Sequence, residues 1–138
     1  MTLVVDSSVA TKWYVDESGA AAARELIGSR ERLVAPTLIL TEVANALWRK
    51  CRLNEMEWRQ ARRAVLTLSA MFQVLEPIEE LNAEAFELAE ELGHPVYDCL
   101  YVVLAKRTDG QLATADRRLI DRFRTTEHWS RIRPLTLS

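Results

Sequence analysis

At 138 residues, with 49% apolar and 28% charged side chains, the chain has the make-up of a soluble globular protein and not of a disordered or fibrous one. Eighteen basic against twenty acidic residues leave a formal charge of −2, so no global basic field announces a nucleic-acid partner, although a local basic rim is compatible with that total. Only two histidines and two well-separated cysteines are present, which argues against His-based metal cages and a Ser-His-Asp triad and points to a reduced, cytoplasmic chain.

The chain opens MTLVVDSS, without the basic start of a signal peptide, and no apolar run reaches the eighteen or so residues of a membrane span. LVV at 3–5 reads as a short buried strand that stops at Asp6. SSVATKWYV then reads as a short helix and SGAAAARELIG as a second, with Gly28 as its C-cap. RLVA at 32–35 is the next strand, and PTLILTEVANALWRKCR a long helix starting at Pro36. Asn54 stands where it would cap EMEWRQARRAVLTLSAMF, in which Met56, Ala64, Leu68 and Met71 recur at helical spacing. QVLE at 73–76 is a third strand, and LNAEAFELAEEL a helix stopped by Gly93. HPVYDCLYVV opens a helix over 95–107, QLATA at 111–115 is a fourth strand, DRRLIDRF a short helix and IRPLTL a terminal strand.

Short apolar strands alternating with amphipathic helices predict βα units: one domain over 1–138, with a mainly parallel central sheet and helices on both faces. In such sheets ligands sit outside the carboxyl ends of the strands, where the strand order reverses. Four acids fall at strand ends or early in helices. Asp6 follows LVV and Asp116 follows QLATA; each also reads as the N-cap of the helix behind it, and the two roles are compatible. Glu42 has Leu38, Ile39 and Ala46 at i−4, i−3 and i+4, beside the apolar stripe, with Asn45 three residues on to steady its carboxylate. Asp98 has Tyr101, Val102 and Ala105 at i+3, i+4 and i+7, the buried stripe of its helix. A favourable acid near a helix N-terminus accounts for its charge but not for its apolar company. Thr114, between Ala113 and Ala115, brings a hydroxyl to the fourth strand's end.

Two carboxylates about 4 Å apart repel by roughly 4 kcal/mol at an effective dielectric near 20, so four in one crevice call for a cation. Oxygen ligands without Cys or His select a hard ion, Mg²⁺ or Mn²⁺. Such an ion lowers the pKa of water and neutralises phosphoryl charge, which suits phosphodiester hydrolysis.

VVDSSV, LTEVANAL, PVYDCLYVVLAKR and LATADRRL resemble, in order and spacing, the motifs of the PIN-domain nucleases, most closely the VapC-type toxins of bacterial toxin–antitoxin pairs. The resemblance covers nearly the whole chain. It implies a three-layer α/β/α sandwich, Mg²⁺ or Mn²⁺ in an acidic pocket, and endonucleolytic cleavage of RNA. By position, Asp6, Glu42, Asp98 and Asp116 match the family's acidic quartet of catalytic and metal-binding residues. Ser8 matches the small polar residue after the first acid, Thr114 the hydroxyl before the last, and Asn45 the asparagine that follows the glutamate. The resemblance also implies a homodimer and a small cognate antitoxin that covers an apolar groove and blocks the acids with a basic side chain.

RNA contact requires cations near the crevice, since phosphates supply most of the affinity. Arg117 and Arg118, directly after Asp116, are the first candidates and Lys12 the next; for each one the competing reading is a solvated helix face. Trp13 and Tyr14 read as packing residues before base-stacking ones. Trp48 and Trp58 lie on adjacent helices with Leu47 and Met56, an apolar groove suited to a partner's helix. Cys99 reads as a small packing residue, and His94 and His128 as solvated loop residues. Three alternatives remain: a PIN-domain nuclease of RNA processing without an antitoxin, a phospho-acceptor receiver, and a silent RNA-binding module. QLATAD places an acid where a receiver needs a lysine, and a silent module has no need of four acids.

Overall fold

The computed structural model describes residues 1–136. Five strands, β1 (Thr2–Val5), β2 (Arg32–Pro36), β3 (Val74–Glu76), β4 (Gln111–Thr114) and β5 (Ile132–Pro134), form one sheet in the order β3-β2-β1-β4-β5, every pair parallel. All five expected strands are present. The last ends at Pro134, short of the expected IRPLTL, whose Leu137 lies outside the described residues.

The chain builds outward from β1 to β2 and β3, then returns to the other side of β1 for β4 and β5. The reversal therefore falls between β1 and β4, and both strands are covered on two faces. That is why they read as unbroken apolar runs: Leu3, Val4, Val5, Leu112 and Ala113 are essentially inaccessible. Seven helices follow among the described residues: α1 (Ser7–Ala10), α2 (Ala20–Glu25), α3 (Leu38–Arg52), α4 (Trp58–Thr67), α5 (Asn82–Leu92), α6 (Val96–Arg107) and α7 (Arg117–Phe123). α6 packs across β1, β2 and β4 with α5 against it, while α1 and α3 pack on each other and reach β4 and β2. The result is an α/β/α sandwich. In α3 the residues that meet the core, Ile39, Val43, Leu47 and Cys51, recur at every fourth position, one face of a helix.

Three helix boundaries differ from expectation, each for a local reason. Pro36 still pairs in β2, opposite Glu76, and α3 begins only at Leu38. α2 ends at Glu25 with Leu26 as its C-cap in right-handed backbone, so Gly28 is not the C-cap. Asn54 takes the left-handed conformation (φ 60°) in the turn after α3, while Glu57 precedes α4; asparagine serves there by tolerating positive φ and not by capping. Gly93 does close α5 in left-handed backbone, as its position implied.

One glycine is required by contact. A Cβ on Gly110, in the turn entering β4, would stand 2.3 Å from the Thr2 carbonyl oxygen, a backbone atom of the neighbouring central strand. Gly110→Ala is expected to destabilise the protein by about 1–3 kcal/mol, the range for overpacking. Gly28→Ala, with nothing within 4 Å of the new methyl, is expected to be neutral or slightly stabilising. Urea melts of the two variants check the contrast; equal midpoints would show that β1 moves aside at no cost.

Candidate functional site

The end of β1 and the end of β4 are tied together by side chains. The Asp6 amide donates to the Ala113 carbonyl across the pair (3.3 Å). Ser8 donates its hydroxyl to Asp6 Oδ1 (2.5 Å) and accepts from the Ala115 amide (2.9 Å), bridging the two strand ends. Asp6 Oδ1 also accepts from the Val9 amide, so Asp6 is the N-cap of α1. At the other strand, the Asp116 amide donates to Thr114 Oγ1 (3.0 Å), and Asp116 Oδ1 accepts from the Arg118 and Leu119 amides at the start of α7. Both aspartates are therefore caps, and each cap uses one oxygen.

Glu42 comes from the first turns of α3 and Asp98 from the first turn of α6. Tyr101 and Val102, beside Asp98 on α6, are buried as its spacing implied. The Tyr101 hydroxyl donates to Glu42 Oε1 and so joins the two helices. Sequence reasoning gave the steadying part to Asn45; among the described residues no hydrogen bond from Asn45 reaches Glu42, and Asn45 is exposed. On the other side, His94 Nε2 lies 2.7 Å from Asp98 Oδ2. His94 is thus not the solvated loop residue expected: its side chain is 9% exposed, with its ring edge-on to Phe123 at 5.8 Å. Nor is His128 a solvated loop residue: it is buried, with its ring against Phe123 at 6.2 Å. Cys99 is buried, as a packing residue should be.

Burial raises three of the four acids, and the Asp116 charge acts on each of the three. Burial drives the Asp6 carboxyl up to about 7, against the Ser8 and Thr114 hydroxyls and the Val9 amide, and the Asp116 charge adds to the rise. Burial also raises Glu42, with the Asp98 and Asp116 charges adding and Tyr101 and Ser7 opposing. Asp98 is raised by burial and by Asp116, while His94 and Arg118 oppose. Tyr101, buried and facing Glu42, Asp6 and Asp98, has its phenol pushed well above its usual value. Ser7 and Thr114 lower their neighbours without reaching hydrogen-bond geometry to them.

A common pattern emerges. Each acid has one oxygen held by the protein: Asp6 Oδ1, Glu42 Oε1, Asp98 Oδ2 and Asp116 Oδ1. No hydrogen bond to the second oxygen occurs among the described residues. Among the described residues no Lys or Arg stands within 4 Å of these four carboxylates, and the one basic partner is His94. Negative charge held in place, half-desolvated and without a cation, is the donor set of a hard divalent ion. The oxygens stand wider than a closed shell, since no three of these acids bring ligand atoms all within 4.8 Å of one another among the described residues. Mg²⁺ tolerates that, because it binds through one or two carboxylates and keeps several waters.

Two open clefts flank the acids. One, of about 420 Å³, is lined by Ser7, Ser8, Glu42, Asn45 and the basic Lys12, Arg49 and Lys50. The other, of about 650 Å³, is lined by His94, Asp98, Asp116, Arg118 and Arg122. Arg118 and Lys12 thus stand beside the acids, Lys12 held by Glu17 and the Ser18 carbonyl, whereas Arg117 lines a separate hollow with Ile120 and Pro134. Arg49, Lys50 and Arg122 were missed. Arg49 and Lys50 follow Glu42 by two helical turns, a spacing that puts them on its face. Trp13 is buried, its indole N–H donating to the Ala23 carbonyl. Away from the acids, Trp48, Trp58, Val65 and Leu66 are exposed along an apolar furrow between α3 and α4 of about 300 Å³.

Comparison with known proteins bears on what this arrangement does. The family model described as PIN domain matches residues 3–124. "Ribonuclease VapC3" of Pyrobaculum aerophilum is 34% identical over 125 residues, 89% of this chain and 95% of that one. "Exonuclease VapC9" of the same organism is 34% identical over 115 residues, 79% and 84% of the two chains. A toxin–antitoxin complex from Klebsiella pneumoniae has the same fold, with a TM-score of 0.68 at 15% identity, over 95% of each chain.

Proposed function

Because the chain belongs to the PIN domain family, we propose that it is a metal-dependent endoribonuclease, the toxin of a VapBC-type pair, cutting RNA at the pocket of Asp6, Glu42, Asp98 and Asp116. The observation that carries this reading is the set of four clustered acids, each with one oxygen fixed and one free, at the reversal point of a parallel sheet. The five-stranded sheet and the family match support taking residues 1–138 as a single domain.

Asp6, Glu42 and Asp98 would hold the ion, Mg²⁺ or Mn²⁺, directly or through water, with Asp116 holding a second ion or orienting the attacking water. When bound, the ion supplies charge neutralisation and an acidified water. The chain's own residues do the rest. Ser8 holds the Asp6 carboxylate and locks β1 to β4; Tyr101 and His94 fix the rotamers of Glu42 and Asp98; Thr114 holds the backbone of Asp116. Arg118 and Arg122 on one side, and Lys12, Arg49 and Lys50 on the other, face the phosphates of a strand drawn across the acids. Arg117, directed toward a different hollow, contributes through general field alone.

With water as the nucleophile in place of the ribose 2′-hydroxyl, the products carry a 5′-phosphate and a 3′-hydroxyl. The test is incubation with total cellular RNA, with Mn²⁺ or Mg²⁺ and with EDTA, followed by mapping of the new ends. Internal cuts with 5′-phosphates, abolished by EDTA, support the proposal; 2′,3′-cyclic phosphates overturn it. The name of one relative raises trimming from an end, and the same mapping separates that from internal cleavage. Tyr101→Phe, which leaves Glu42 without its hydroxyl partner, is expected to weaken Mn²⁺ binding and cleavage about 10–100-fold while the chain stays folded. Titration calorimetry and circular dichroism check the two halves of that statement.

A cognate antitoxin belongs to the same reading, and an amphipathic helix seated in the Trp48–Trp58 furrow is the mode its apolar lining supports. So do a homodimer and a cytoplasmic location; both cysteines are free and buried, and no described helix is long and apolar enough to cross a membrane.

A further inference from the structure

Away from the four acids, one trio of described residues brings its ligand atoms all within 4.8 Å of one another: Glu91, Glu127 and His128. Glu91 closes α5, and the other two open the 3₁₀ turn Glu127–Arg131 that leads into β5. The His128 side chain is only 7% exposed, and its Nε2 is shut from solvent without a hydrogen-bond partner. That nitrogen points between two carboxylates, 3.8 Å from Glu91 Oε2 and 3.9 Å from Glu127 Oε1, beyond hydrogen-bond reach of either. The His128 backbone amide is anchored on Thr126 Oγ1, and the ring packs edge-on to Phe123 at 6.2 Å.

A buried nitrogen left unpaired between two acids requires an explanation. We propose that Glu91, Glu127 and His128 form a second metal site, for a borderline divalent ion of the Zn²⁺ class. Tetrahedral coordination at about 2.1 Å sets ligand atoms about 3.4 Å apart, so the two exposed carboxylates, 3.8 and 3.9 Å from Nε2, need close only slightly to share an ion, and the buried ring need not move. One imidazole and two carboxylates select Zn²⁺, Co²⁺ or Ni²⁺ over Mg²⁺, whereas the four-acid pocket selects the hard ions. The exposed carboxylates give the ion a route in, and a water completes its shell. Bound there, the ion would staple the end of α5 to the turn before β5. This inference does not depend on the activity assigned to the pocket.

The test uses the full chain carrying Asp6→Asn and Asp98→Asn, so that the pocket does not compete, titrated with Zn²⁺ and separately with Mg²⁺. One Zn²⁺ per chain at micromolar affinity, a rise in melting temperature, and no response to Mg²⁺ are expected. Adding Glu91→Gln and Glu127→Gln, both on exposed side chains, is expected to weaken Zn²⁺ binding at least about tenfold and to leave the fold intact. Co²⁺ should give visible absorption bands that the glutamine variants lose. Zn²⁺ uptake unaffected by those substitutions, or no uptake at all, overturns the site. So does a pH-dependent stabilisation that the glutamines remove while Zn²⁺ has no effect, which would mark the trio as a plain ion pair.

Discussion

Asp98→Asn is expected to cut RNA cleavage about a hundred- to a thousandfold, the scale on which removing one group of an electrostatic site acts, and at the same time to raise the melting temperature. Both halves follow from one fact: burial and the Asp116 charge make the ionised Asp98 costly in the folded chain, and only an arriving cation offsets that cost. Asparagine keeps an oxygen for His94 and discards the charge. The surroundings are otherwise unchanged, since Tyr101 and Val102 lie beneath it and are fully packed. Cleavage assays at saturating Mn²⁺ together with thermal melts of the metal-free protein read the two effects. An Asp98→Asn chain that cuts at the parent rate would remove Asp98 from the mechanism; one that melts lower would show that the carboxylate stabilises the fold.

The second large effect is the pH dependence of metal-free stability, and Asp6 sets it. Folded, this carboxyl keeps its proton to about pH 7; unfolded, it releases it near 3.8. Between those values the native chain binds more protons than the unfolded one, so raising the pH favours unfolding. The contribution of Asp6 is complete below about pH 3.8 and is lost as the pH climbs through 7, an interval worth on the order of 4 kcal/mol. Glu42 and Asp98, also raised, act in the same direction. Denaturant midpoints in EDTA should therefore fall between pH 5 and 8, Asp6→Asn should flatten the slope, and millimolar Mn²⁺ should restore the midpoint at pH 8 by mass action. A midpoint that rises with pH in EDTA contradicts the argument.

Where the four acids fall in the fold was largely legible beforehand because a parallel sheet converts sequence position into geometry. A buried central strand is an unbroken apolar run, so the first charged residue after it, Asp6 or Asp116, must lie at the carboxyl edge. Glu42 and Asp98 were legible through their neighbours, since Ile39 and Tyr101 marked the faces that turn inward. What could not be read were contacts closed by distant residues. His94 precedes Pro95 and so lies outside the periodicity of α6; it reaches Asp98 because Phe123, from α7, walls it in. His128 looked like a loop residue for the same reason, and Phe123 is again what buries it. Tyr101 was correctly placed as buried, but that its hydroxyl would meet Glu42 depends on the crossing of α3 and α6, which no local spacing encodes. Gly28 and Asn54 show a smaller version of this: which residue ends a helix depends on backbone angles that composition only biases.

That Asp6 and Asp116 cap helices through a single oxygen has an evolutionary corollary. Asparagine caps as well as aspartate does, and one transition in the first base of either aspartate codon produces it. If these two acids act as proposed, an inactive chain with both caps intact lies a single point mutation away. Under the role proposed above, a lineage without the partner that restrains such a chain has an immediate escape, and surviving copies should be found decaying at these aspartates before their cores erode.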